Sequence, residues 1–126
     1  MTQETKKRLS NELIQNAEDM IAKLRKMQSE EDASFVVVNF SGMPFRFIYD
    51  ENGIVTEARL ALGFKDCSRF ENTKAAEESA RRLSYRYQDG AGRPSRVLTF
   101  SAAVDLMIEG QQKCIETLKQ YMANHE

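Results

Sequence analysis

SFVVVNFSGMPFRFIYDENGIVTEARLALGF, residues 34–64, decides the fold of this chain. Side chains alternate across a β-strand, so a period of two separates the two faces of each strand. Val36, Val38 and Phe40 form one apolar row, Phe45, Phe47 and Tyr49 repeat it, and Ile54, Ala58, Leu60 and Leu62 supply a third. Between the second and third rows stands Asp50-Glu51-Asn52-Gly53, where glycine accepts the positive φ that ends a short hairpin loop. Gly42-Met43-Pro44 marks the earlier turn, with a proline that has no ladder hydrogen to donate. The stretch reads as a three-stranded antiparallel meander. A fourth strand joins it if residues 63–70, otherwise a loop with Phe64 and Phe70 as aromatic anchors, or residues 96–100 extend the sheet. An apolar sheet face has to be covered, and the cover is expected from helices on either side in the chain.

Outward from the strands, residues 3–31 contain no glycine or proline and step through Leu13, Ala17, Met20, Leu24 and Met27, with Leu9, Ile14 and Ile21 widening the stripe. At 1.5 Å per residue this helix is about 40 Å long, more than a short strand needs, so part of its stripe asks for another partner. Asn72 or Thr73 caps a middle helix that runs through Ala76, Ala80, Leu83 and Tyr87 and stops at Gly90. Thr99 or Ser101 caps a last helix reaching about Met122, with Val104, Ile108, Gln111, Ile115, Leu118 and Met122 spaced by four and three. Gly110 interrupts it at about 1 kcal/mol relative to alanine and marks a place for a close helix crossing. The first and last helices carry matching seams and are expected to pack together or to form a homodimer. The fold class is α+β, in the order α-β-β-β-α-α: a three- or four-stranded antiparallel meander flanked by long terminal helices and one middle helix, as a single domain over residues 1–126.

With 41% hydrophobic and 29% charged residues, the composition is neither that of a disordered chain nor that of a membrane span. The polar opening MTQETKKRLSNE does not read as a secretion signal, so a cytoplasmic location without membrane contact is expected. Cys67 and Cys114 stand apart from any metal or redox spacing and read as reduced thiols. The single histidine, His125, sits at the end of the chain, far from a nucleophile–base arrangement. In Asp50-Glu51-Asn52-Gly53 glycine occupies the fourth place, where a calcium loop needs it at the sixth. Gly90-Ala91-Gly92-Arg93 follows a helix, where a phosphate cradle joins a strand to one. No catalytic residue, cofactor site or metal site is assigned, and a non-enzymatic protein is expected.

Charge is unevenly placed. Arg81, Arg82, Arg86, Arg93 and Arg96 fall within sixteen residues that contain one acid, Asp89, giving that segment +4 in a chain whose net charge is −1. Guanidinium groups pair bidentately with carboxylates and phosphates, so these five arginines are the candidate partner-binding residues. The expected partner is another protein or protein complex with an acidic surface; nucleic acid, held through its phosphates, is the alternative. An ordinary solvated helix face, with the arginines paired to Glu77 and Glu78, would look the same in sequence.

The order helix, three strands, helix is similar to that of a double-stranded-RNA-binding domain, with Thr73-Lys74-Ala75-Ala76 where that family opens its last helix. Glu77 and Glu78 then stand where the family is basic, and the first helix is longer than the family's. A different resemblance runs from Ala61-Leu62-Gly63-Phe64 through Arg69-Phe70-Glu71-Asn72-Thr73 into the alanine-rich helix Ala75-Ala76-Glu77-Glu78-Ser79-Ala80-Arg81-Arg82-Leu83. This stretch resembles small accessory proteins of bacteriophages and prophages. The resemblance implies a non-enzymatic protein of the host cytoplasm that binds and blocks a host or phage complex, anti-defence inhibitors of the anti-CRISPR kind among them.

Overall fold

The structure is a computed structural model and describes residues 2–30, 33–86 and 95–124, of which 82–86 by backbone alone. Among the described residues three helices and four strands follow in the order α1 (Gln3–Glu30), β1 (Phe35–Val38), β2 (Phe45–Tyr49), β3 (Val55–Leu60), α2 (Thr73–Arg86), β4 (Arg96–Thr99) and α3 (Phe100–Asn124). The class is α+β and all strand pairing is antiparallel. The chain divides into two compact units, Glu31–Val104 and Met1–Glu30 with Asp105–Glu126. No helix among the described residues is long and apolar enough to cross a membrane.

In the Glu31–Val104 unit the strands form two two-stranded sheets, β1 with β4 and β2 with β3, in place of one meander. Residues 96–99 thus become the partner of β1, with Val37 opposite Val97. The reason β1 does not ladder with β2 is local. Pro44 lacks an amide hydrogen, and a single bridge, Val38 to Pro44, joins the two strands. The rest of the gap is filled by the loop after β3. Phe70 exchanges two 2.8 Å backbone hydrogen bonds with Phe35, Ser68 N donates to Phe45 O, and Phe47 N donates to Ser68 Oγ. Residues 63–70 are therefore a loop that closes strand edges with its own polar groups. Phe64 is its anchor, fully buried with its ring edge-on to Phe100 at 5.6 Å.

The core face differs from the alternation read in sequence. Val37, Phe45, Phe47 and Ala58 pack with Ala76 of α2, and Phe35, Val55, Phe70, Ala80 and Val97 complete the cluster. Val36 and Val38 lie on the opposite face of β1 and are equally buried. Both faces of β1 are covered, so its four apolar residues carry no usable alternation. Phe45 and Phe47 are inner lining as expected, whereas Phe40, Tyr49, Ile54, Leu60 and Leu62 are exposed. The turns are built as their residues dictate. Asp50 Oδ1 accepts from Asn52 N and Ile54 N, while Gly53 takes φ +77°. Asn39 Oδ1 accepts from Ser41 N and Met43 N around Gly42, at φ +87°. Asn72 caps α2 through Ala75 N, and Thr99 caps α3 through Ala102 N.

In the other unit Gln28 Nε2 donates to Asp105 Oδ1 at 2.8 Å, and Arg25 lies 3.8 Å from the same carboxylate. The end of α1 is thereby pinned beside the start of α3, so the two helices run antiparallel. On α1 the positions Ser10, Ile14, Ala17, Ile21, Leu24 and Gln28 are covered, in steps of four and three, with Thr5 and Met27 half-buried as well. This seam is turned by about one residue from the Leu13, Ala17, Met20, Leu24 stripe read in sequence. On α3, Ile108, Gln111, Ile115, Leu118 and Met122 are covered in the order anticipated. A β-carbon built on Gly110 meets nothing within 4 Å, so none of the described helices crosses closely there.

Candidate interaction surfaces

Of the five arginines singled out in sequence, the side chains of Arg81 and Arg96 fall among the described ones. Arg81 is exposed on α2 and forms no ion pair with a described residue, Glu77 and Glu78 included. Arg96 is exposed at the start of β4, opposite Val38. Its neighbour Val97 packs into the cluster that contains Ala76 of α2, so Arg96 leaves the sheet on the face turned away from that helix. Arg82 and Arg86 belong to α2, and Arg93 lies outside the described residues, as do Asp89 and Gly90 to Gly92.

A second basic pair comes from the β2–β3 register. Arg46 stands directly opposite Arg59, and Ile48 opposite Glu57, on the face of the hairpin away from Phe45 and Phe47. Like charges opposite one another in a ladder are destabilising. Arg59 is partly compensated: its Nε donates to Glu57 Oε1 at 2.7 Å, and this hydrogen bond, with the attraction of the carboxylate, raises the guanidinium pKa. Arg46 is exposed and has no such partner among the described residues. The signal in sequence was the symmetric placing of Arg46 and Arg59 about the Asn52-Gly53 turn, readable only once the hairpin register is known.

Beside this face the hairpin ends in apolar side chains. Leu62 is 98% exposed and Leu60 50%. Between them Ala61 N donates to Pro44 O at 2.9 Å, which places both leucines at the turn carrying Phe40, itself 41% exposed. Three large apolar side chains are thus exposed past the end of the ladder that pairs Arg46 with Arg59, Leu60 on the Phe45 face of its strand.

Among the described residues no three of His, Cys, Asp and Glu are grouped so as to hold a metal ion. Cys67 is buried, its Sγ donating to Phe64 O, and Cys114 is exposed on α3. Arg69 is structural: it donates to the same Phe64 carbonyl and lies 4.3 Å over the Phe100 ring. No family model matches this chain, and no curated protein or solved structure is significantly similar to it.

Proposed function

We propose that this chain is a non-enzymatic protein that works by occupying a surface on another protein or protein complex. A phage or prophage accessory protein would act in this way, and an inhibitor of the anti-CRISPR kind is one example. The observation that carries the reading is the pairing of Arg46 and Arg59 on one open strand face with Leu60, Leu62 and Phe40 exposed at its end. Neither feature favours the isolated chain: facing guanidiniums repel, and exposed leucine forgoes burial. A partner presenting carboxylates beside an apolar strip relieves both. Arg81 and Arg96 add positive charge on other faces of the unit and favour encounter with acidic surfaces at a distance.

The test compares three versions of the chain in co-purification from extracts of its native host. These are the wild type, Leu60→Asp with Leu62→Asp, and Arg46→Glu with Arg59→Glu. One protein partner retained by the wild type and lost from both variants is the expected result. A gel shift with DNA and RNA decides against it in a defined case. Binding that falls steeply with salt, that the arginine variant loses and that the leucine variant keeps would make the chain a nucleic-acid binder instead.

A further inference from the structure

The antiparallel helix pair is more apolar than a pair needs to be. With Ile14, Ile21, Gln28 and Ile108, Ile115, Met122 as the a positions of a heptad, and Ser10, Ala17, Leu24 and Gln111, Leu118 as the d positions, the seam between the helices is complete. In an antiparallel pair e positions meet e positions on one side of the seam, and g positions meet g positions on the other. The contact of Arg25 with Asp105 is an e-to-e contact and fixes which side is which. That side is polar, with Asn11, Glu18, Arg25, Asp105, Gln112 and Lys119.

The opposite side is not. Its g positions are Leu13, Met20 and Met27 on α1 and Met107, Cys114 and Tyr121 on α3. Leu13 is 54%, Met20 44% and Tyr121 40% exposed, Cys114 is exposed as well, and Met27 and Met107 are half-buried. A two-helix seam requires apolar residues at a and d alone. Apolar residues at a, d and g together are the pattern of a helix that faces several others in a bundle.

We infer that this g-side face is a self-association surface, on which the helix pair of a second copy of the chain packs to complete a four-helix bundle. The spacing and charge of the face favour a second copy as its occupant. Another copy brings two helices with the same four-and-three spacing, so the layers match without further design, and a two-fold axis makes the contact self-complementary. The c positions bordering the face are Leu9, Asn16, Lys23, Gly110, Thr117 and Asn124, so one lysine is the only charge to be brought near its copy. From Leu9 to Met27, which is half-buried, the strip is about 27 Å long and two helices, about 20 Å, wide. Two copies therefore cover at most roughly 1,100 Å², close to the roughly 1,000 Å² that a specific interface requires. Open space around Gly110 leaves room for that approach. This surface goes beyond the partner proposed above, and its test needs no partner.

Sedimentation equilibrium of the full chain at micromolar concentration reads the association directly. The expected mass is twice 14.4 kDa. Leu13→Lys with Met20→Lys should weaken dimerisation by more than about a hundredfold with the helical circular dichroism kept, because the a and d positions are untouched. Asn11→Lys with Gln112→Lys, on the e side, should remain dimeric. A wild type that sediments as a monomer overturns the inference, and so does a dimer that persists in the g-side variant. Should that variant not fold, the wild type still decides through Cys114. Its rate of maleimide labelling should fall as protein concentration rises through the association range; a rate independent of concentration rules the surface out.

Discussion

Two glycines in this chain make opposite demands on a substitution. Gly53 holds φ +77° in the β2–β3 turn, where the Asp50 carboxylate gathers the Asn52 and Ile54 amides. A Cβ there has open space but the wrong backbone, and left-handed geometry costs an L residue roughly 1–2 kcal/mol. Gly110 lies inside α3 with nothing within 4 Å of a built Cβ and no positive φ. Alanine there removes the helix penalty of glycine, about 1 kcal/mol, with no clash to offset the gain. Gly53→Ala should thus lower the urea midpoint and Gly110→Ala should raise it, both at an unchanged slope. The residue scale is also where sequence reading served best. Asn72 and Thr99 were each one of two candidate caps, and each accepts the hydrogen bond that a cap must. Capping depends on a few neighbouring atoms, and the sequence contains all of them.

Elements were legible in proportion to how much of their pattern is set by one neighbour. The α3 seam was read in register because Val104, Ile108, Ile115 and Leu118 fall on one line, while α1 was read one residue off. Leu9, Leu13 and Met20 are apolar but lie outside the pair seam, and no rule of periodicity tells an inner stripe from a second one beside it. In β1 the difficulty is the reverse: Phe35, Val36, Val37 and Val38 are all apolar, since both faces are covered, and the face toward Phe45 and Phe47 is that of Val37. The pairing of β1 with β4 joins residues far apart in sequence, which a hairpin-by-hairpin reading cannot supply. Within the run of arginines, Arg81 stands on α2 and Arg96 on the far face of β4, a separation that spacing in sequence does not supply. Arg46 and Arg59, far apart in the chain, were brought together by register. A stability contrast checks the helix assignment. Leu24→Ala, in the seam and 3% exposed, should cost about 2–5 kcal/mol in thermal or urea unfolding. Leu13→Ala, next to it on the wheel but 54% exposed, should cost much less when measured on monomer at high dilution.

At the scale of the whole molecule, surfaces of two kinds are left open. The Glu31–Val104 unit closes its strands with a loop, buries Phe64 and Phe100, and still presents two facing arginines beside Leu60 and Leu62. The helical unit satisfies its own seam and still exposes a second apolar strip. These two surfaces are the ground for the two proposals made above, self-association through the helices and binding of an acidic, partly apolar protein surface through the hairpin. Native mass spectrometry of the chain isolated from its host tests this most directly, because one spectrum reports both the copy number and the company it keeps. The account predicts a species containing two 14.4 kDa chains together with a partner protein; a lone 14.4 kDa chain at cellular concentration would contradict it.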